Sequence, residues 1–254
     1  MMNPSFMVFG ASVPGLRHTR NQVPCEDACV HAVFPDCSIV AVADGLSSAG
    51  NGKAGAETGT RACVDAASAL TCKDGMNPGD IIREAMSAGR SAIQALAERE
   101  NAPLASYGTT MLLAYVSHAG VWCGHIGDGA AVCVRGDDVS ILSAPGSSEY
   151  ANETAVLTAS DWETYLRVSS GSPGTLLLAT DGCQGAVIRR ENGKYSPYLP
   201  FVLPLVHSLY RFVDEERDVA AAIRDLLSSE RMQALSSDDM TLAVVLSLPG
   251  ESVS

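Results

Sequence analysis

Apolar residues recur along this chain in two rhythms. Strand-like runs at 6–11, 28–34 and 38–43 come first, and two helical stretches follow. The stretch 53–70 is rich in alanine and follows a loop of Gly, Ser and Asn. Asn77-Pro78 reads as the N-cap and first residue of the second helix, with Asp80 three residues on. Behind it Ile81, Ile82, Ala85, Met86, Ile93, Leu96 and Ala97 keep helical spacing until Asn101 and Pro103 stop the run. From Thr109 the period shortens to two, with strands expected at 111–116, 121–126, 130–135 and 139–142. Their connections, Gly127-Asp128-Gly129 among them, are too short for crossover helices, which predicts an antiparallel meander. A polar excursion over 145–172, with a helical turn near 161–167, precedes a strand at 175–180 and a loop at Asn192-Gly193. Helices at 201–212 and 214–228 and a last strand at 240–248 complete an α+β pattern in which helices cover antiparallel sheets. No repeat or linker divides the chain, so 1–254 reads as one domain with a flap-like insertion around 146–172.

Composition narrows the possible functions. With 46% hydrophobic and 18% charged residues the chain can build a core, and disorder is disfavoured. A net charge of −12 argues against a general nucleic-acid binder, because phosphate backbones select basic surfaces. The start, MMNPSFMVFGASVPG, has neither a basic segment nor a long apolar one, so it does not read as a signal peptide. No apolar run approaches the ~20 residues that a membrane helix needs. The eight cysteines, at 25, 29, 37, 63, 72, 123, 133 and 183, form no CxxC pair, and several lie in apolar runs. They read as free thiols packed as small hydrophobes, and the chain as cytoplasmic.

Candidate chemistry lies where strands end. Ser-Ile-Val-Ala-Val-Ala runs into Asp44-Gly45, and Thr-Leu-Leu-Leu-Ala-Thr into Asp181-Gly182. Asp128 stands between two glycines, Asp238-Asp239 precedes the last strand, and Glu26-Asp27 precedes the second. Taken singly, an Asp-Gly after a strand is an ordinary turn. Gathered at one edge, each pair of carboxylates ~4 Å apart would repel by about 4 kcal/mol at an effective dielectric near 20. Divalent cations would offset that repulsion, and a donor set of oxygens without a His/Cys cluster suits Mg²⁺ or Mn²⁺.

The order of these pieces resembles the metal-dependent protein phosphatase family PP2C, over about residues 12–245. The pieces are Arg20 with Glu26-Asp27, Asp44-Gly45, Gly108-Thr109-Thr110, Gly127-Asp128, Asp181-Gly182, and Asp238-Asp239-Met240-Thr241. The loop Pro24-Cys25-Glu26-Asp27-Ala28 is similar to a bacterial subgroup with Pro-Cys-Gln-Asp-Ala there. The resemblance implies two packed antiparallel sheets flanked by helices, and hydrolysis of phosphoserine and phosphothreonine monoesters on proteins. It also implies two Mn²⁺ or Mg²⁺ ions, with a third more weakly held. By the same resemblance Asp44 bridges two ions, the Gly45 carbonyl ligates one, and Asp181 and Asp238 bind the first. Glu26 or Asp27 serves the second, and Asp128 with Asp181 holds the third. A water between two cations would be the nucleophile.

This chain departs from the family's pattern in places. The histidine that follows Asp-Gly in eukaryotic members is Leu46 here, and the usual phosphate-binding arginine position is Gln22. Arg20 is the candidate in its place, with Arg17 and His18 as competitors. Asp239 falls where many relatives have Asn, which leaves Asp238 as the ligand. Residues 149–154 would shape the substrate groove. Implied partners are phosphorylated proteins and a cognate Ser/Thr kinase, with no nucleic acid and no membrane. A non-catalytic module that binds a phosphorylated partner and a small-molecule phosphomonoesterase are the alternative readings. Residues 50–59 lack the ending of a P-loop despite Lys53, and His125, Trp122 and Trp162 read as packing residues.

Overall fold

A computed structural model describes residues 5–71, 75–146 and 154–248. In chain order its elements are β1 (Phe6–Val13), α1 (Leu16–Asn21), β2 (Ala28–Val33), β3 (Cys37–Ala43), α2 (Gly52–Thr71) and α3 (Pro78–Arg99). Next come β4 (Met111–Ser117), β5 (Gly120–Ile126), β6 (Ala130–Arg135), β7 (Asp138–Ser143), α4 (Trp162–Tyr165), β8 (Arg167–Gly171) and β9 (Thr175–Ala179). The last third holds α5 (Asp181–Val187), β10 (Ile188–Glu191), β11 (Lys194–Pro197), α6 (Leu199–Asp214), α7 (Val219–Leu227), α8 (Glu230–Gln233) and β12 (Met240–Ser247).

Two five-stranded antiparallel sheets, in the orders β1-β12-β9-β6-β7 and β2-β3-β4-β5-β8, pack face to face. β3, β9 and β12 read as unbroken apolar runs because each is covered on both faces. Alternation then sorts their side chains by layer. In β3, Val40 and Val42 meet Leu178 and Val245 between the sheets, while Ile39 and Ala41 face the layer under α2 and α3. On the other side Leu177, Leu242 and Val244 pack under α5, α6 and α7. The result is a helix–sheet–sheet–helix sandwich with three apolar layers. Asn77 caps α3 by accepting the Gly79 N–H at 2.8 Å, with Pro78 in the first turn.

The expected meander is not continuous. β4–β5 is a hairpin in one sheet and β6–β7 a hairpin in the other, so Gly127-Asp128-Gly129 is a crossing between sheets. Gly127 takes φ 114° there, in the region that favours glycine. The polar excursion contains β8, whose Arg-Val-Ser-Ser-Gly sequence suits the edge strand it forms against β5. The stretch after β9 contains α5, and the Asn192-Gly193 turn closes the β10–β11 hairpin. Residues 149–153 of the supposed groove-shaping segment lie outside the described residues, as does Cys72. Among the described residues no helix is long and apolar enough to cross a membrane, and the seven described cysteines form no disulfide with one another.

Candidate metal centre and active site

The sandwich brings its acidic strand ends to one edge. Asp44 follows β3, Asp181 opens α5 directly after β9, Asp238 precedes β12, and Asp128 sits in the crossing from β5 to β6. One carboxylate oxygen from each of Asp44, Asp128 and Asp181 lies within 4.8 Å of the others. Burial pushes the Asp44 carboxyl up to about 9, and the charges of Asp27, Asp238 and Asp128 add to the rise. Asp181 is pushed up to about 8 by burial and then by Asp44, Asp128 and Asp238. Asp238 is therefore close enough to act on both. The Oδ1 atoms of Asp128 and Asp181 are buried and meet no hydrogen-bond donor. Three converging carboxyls, two with buried undonated oxygens (Asp128 and Asp181) and two pushed up by burial (Asp44 and Asp181), are a poor arrangement for a protein alone and a suitable one for a divalent cation.

The backbone around Asp44 is held by Gly108-Thr109-Thr110. Asp44 N–H donates to Thr110 Oγ1 at 3.0 Å, its carbonyl accepts the Thr110 N–H at 2.9 Å, and Thr109 Oγ1 donates to that carbonyl at 3.0 Å. The triplet stands in the sequence as a family marker, and in the structure its threonine hydroxyls fix the backbone of Asp44. Gly45 is pinned in turn, its N–H on the Glu26 carbonyl at 3.2 Å. A Cβ at Gly45 would stand 2.4 Å from the Gly52 carbonyl carbon and oxygen. Gly45→Ala should therefore cost about 1–3 kcal/mol as an overpacking change and displace the Asp44-Gly45 peptide. Thermal melts and Mn²⁺-dependent turnover should both fall, and an unchanged melt would show that the loop yields freely. Asp128 is steadied by Thr154 Oγ1, 2.9 Å from its Oδ2, and by the Gln184 side chain on its carbonyl.

The acidic pair divides its roles. Asp27 is buried, and its Oδ2 accepts the Thr180 hydroxyl at 2.7 Å; that hydroxyl oxygen also accepts the Thr241 N–H at 3.0 Å. Burial, then the charges of Asp239 and Asp181, push Asp27 up to about 7 against the lowering effect of those threonines. Glu26 lies nearer the surface, where Ser47 Oγ donates to its Oε2. Neither belongs to the group of three carboxylates within 4.8 Å.

Asp239, 2% exposed, accepts from Gly15 N–H at 2.8 Å and Glu26 N–H at 2.6 Å, and lies 2.8 Å from His18 Nδ1. Its oxygens are thereby committed to holding the 15–26 loop, whereas Asp238 keeps one oxygen clear of its 3.1 Å ion pair with Arg17. Arg17 also donates to Ser47 Oγ at 3.0 Å. Arg20, the favoured phosphate residue on sequence, is exposed and makes no hydrogen bond or ion pair to the cluster. It sits about 4.5 Å farther along α1 than Arg17, away from the staple at Gly15. The structure thus brings Arg17 and His18 to the site and leaves Arg20 outside. His125 is buried away from the cluster, with Nδ1 on Ser143 Oγ at 2.7 Å and Arg167 Nη2 at 3.0 Å, and Trp162 packs in the layer under α3.

Raised carboxyls give cation binding a definite pH dependence. In protein stripped of divalent ions, Asp44 and Asp181 carry protons at pH 7, below their folded values of about 9 and about 8. A cation binds the ionised forms, so binding must release protons and tighten as pH rises towards 9. Titration calorimetry in buffers of different ionisation heat should show proton release at pH 7 that fades above pH 9. Equal heats in all buffers at pH 7 would contradict these shifts.

With this geometry in view, likeness to known proteins becomes specific. Over 252 residues the chain is 27% identical to serine/threonine-protein phosphatase 3 of Escherichia coli (strain K12), covering 95% of this chain and 98% of that one. The catalytic domain of the serine/threonine protein phosphatase PstP, solved in complex with two manganese ions, superposes with a TM-score of 0.63 at 17% identity, covering 96% and 99% of the two chains. Serine-threonine phosphatase 2C from Toxoplasma gondii gives 0.65 at 14% identity, covering 97% and 96%. These structural likenesses are of fold. Residues 14–228 match the profile described as protein phosphatase 2C, a span that runs from the Gly15 staple through α7, and the chain belongs to that family.

Proposed function

We propose that this metal-dependent protein phosphatase removes phosphate from seryl and threonyl side chains at the edge where Asp44, Asp128, Asp181 and Asp238 meet. The observation that carries the reading is the convergence of three carboxylates within 4.8 Å, two of them with buried, undonated oxygens. Asp44, the Gly45 carbonyl, Asp181 and Asp238 would hold the principal ions, with Glu26 at the outer one and Asp27 behind it as a buried support. Asp128 with Asp181 would hold a third. Mn²⁺ or Mg²⁺ suits such an all-oxygen set. Ions held there supply the positive charge that activates water and offsets the charge of a phosphoryl group.

The chain's own residues do the rest. Arg17, at the rim with 47% of its side chain exposed, would receive the phosphate in the fork of its guanidinium. Its present partners, Ser47 and Asp238, hold it beside Asp238 without burying it. Leu46, in the place of the histidine noted above, has no proton to give, so water or another group would protonate the departing oxygen. Thr109 and Thr110 keep the Asp44 carboxylate aimed while the substrate changes. A Ser/Thr kinase that makes the phosphorylated substrates is the natural counterpart. Described cysteines outside any disulfide suit the reducing cytoplasm as the place where both would act.

The test is turnover of p-nitrophenyl phosphate and of a phosphothreonine peptide with Mn²⁺ and with a chelator. Chelator-sensitive cleavage of both is expected. Cleavage of the small ester alone would point to a small-molecule phosphomonoesterase. Metal binding without cleavage of either would point to a binding module.

A further inference from the structure

Beside the aspartate cluster runs a chain of side chains in which each link lies within hydrogen-bond or ion-pair distance of the next. Asp239 anchors it, with both carboxylate oxygens 2.8 Å from His18 Nδ1. Across the imidazole, His18 Nε2 lies 3.2 Å from Ser47 Oγ and 3.5 Å from Glu26 Oε2. Ser47 Oγ donates to Glu26 and accepts from Arg17 Nη2, and that nitrogen is 3.1 Å from Asp238 Oδ1. His18 is buried on α1, within a segment whose ends, Gly15 and Glu26, are both tied to Asp239. A rigid ring with both nitrogens engaged transmits the position of one side to the other. Glu and Arg are rotamer-rich, so holding them in advance removes an ordering cost from binding.

We infer that His18 is a positioning residue of this site. Clamped by Asp239, it sets, through Ser47, the Glu26 carboxylate and the Arg17 guanidinium as one unit. The inference rests on the metal-dependent phosphatase reading, in which Glu26 faces the outer cation and Arg17 the phosphate. It differs from a role in packing alone, because the side of the ring that faces Ser47 carries the effect.

Two substitutions separate the sides of the ring. In His18→Asn the amide nitrogen can take the place of Nδ1 and keep the Asp239 bond, but nothing reaches Ser47. In His18→Gln the amide can take the place of Nε2 and lose the Asp239 bond instead. Cation-stripped protein is titrated with Mn²⁺ while free ion is read by electron paramagnetic resonance, and KM and kcat are measured with p-nitrophenyl phosphate. His18→Asn should melt close to wild type yet bind its weaker Mn²⁺ roughly tenfold or more less tightly, with KM raised and kcat changed less. Ser47→Ala should do the same, and the double variant should be no worse than His18→Asn alone. His18→Gln should recover part of the Mn²⁺ affinity even where its melting temperature falls. Wild-type Mn²⁺ affinity and KM in His18→Asn would overturn the inference, as would effects that multiply in the double variant. Should His18→Asn fail to fold, an unchanged Ser47→Ala would overturn it equally. Wild-type protein that binds no Mn²⁺ and cleaves no ester would instead remove the phosphatase reading beneath it, which the variants alone cannot do.

Discussion

Asp44→Asn is expected to lower Mn²⁺-dependent turnover by about three orders of magnitude while the protein still folds. The size follows from what the residue does: it ends β3 at the centre of the cluster, and its amide replacement supplies one neutral oxygen where a carboxylate would face cations. The same substitution has an opposite effect on stability. With its folded value raised to about 9 by burial and by the charges of Asp27, Asp238 and Asp128, Asp44 stays protonated in the cation-stripped fold while the unfolded chain ionises near the ordinary value of 3.8. A raised carboxyl therefore contributes stability that is whole below about pH 4 and is lost as pH rises to about 9. Asn has no such loss. The variant should melt above stripped wild type at pH 7, by a margin that opens from about pH 4 and levels off above pH 9. Added Mn²⁺ should then raise the wild-type melt and leave the variant's largely unmoved. Near-wild-type turnover in Asp44→Asn would move the active site elsewhere.

Asp239→Ala should give the largest loss of stability, about 3–5 kcal/mol, or a melting temperature lower by on the order of 10 °C. It removes the acceptor of the Gly15 and Glu26 N–H groups and the partner of buried His18 in one step. The neighbouring Asp238→Ala serves as its counterpart. The Asp238 ion pair with Arg17 is exposed at 36% and 47%, so stability should change by less than about 1 kcal/mol, whereas turnover should collapse. Circular-dichroism melts and initial rates on both variants check the contrast. If Asp239→Ala melts like wild type, the 15–26 loop is held by something other than that carboxylate.

Much of the architecture was legible because burial on both faces leaves an unmistakable trace. β3, β9 and β12 are apolar at nearly every position, and the aspartates that end or precede them stand out against that background. α3 announced itself through Asn77, Pro78 and its apolar spacing. Less could be read where local signals serve more than one geometry. Gly127-Asp128-Gly129 has hairpin chemistry but carries the chain between sheets, a choice made by which partners β5 and β6 find, β8 and β9. β8 is too polar to look like a strand because an edge strand needs only one paired side. α5 holds two glycines in seven residues, and its helix depends on the position of Asp181 at the end of β9 rather than on propensity.

The aspartates at strand ends, the family to which the chain belongs and the apolar runs of its buried strands are properties of the amino-acid order. They follow from periodicity and from motif succession, both of which are written along one dimension. Which aspartates converge, that Asp239 is spent on the loop while Asp238 stays partly free, and that Arg17 rather than Arg20 reaches the cluster are decisions of tertiary structure. Those depend on contacts between residues distant in the chain, more than two hundred positions for Gly15 with Asp239 and Arg17 with Asp238. Sequence spacing holds no information on how such distant groups share a few ångströms; the packing of two sheets does.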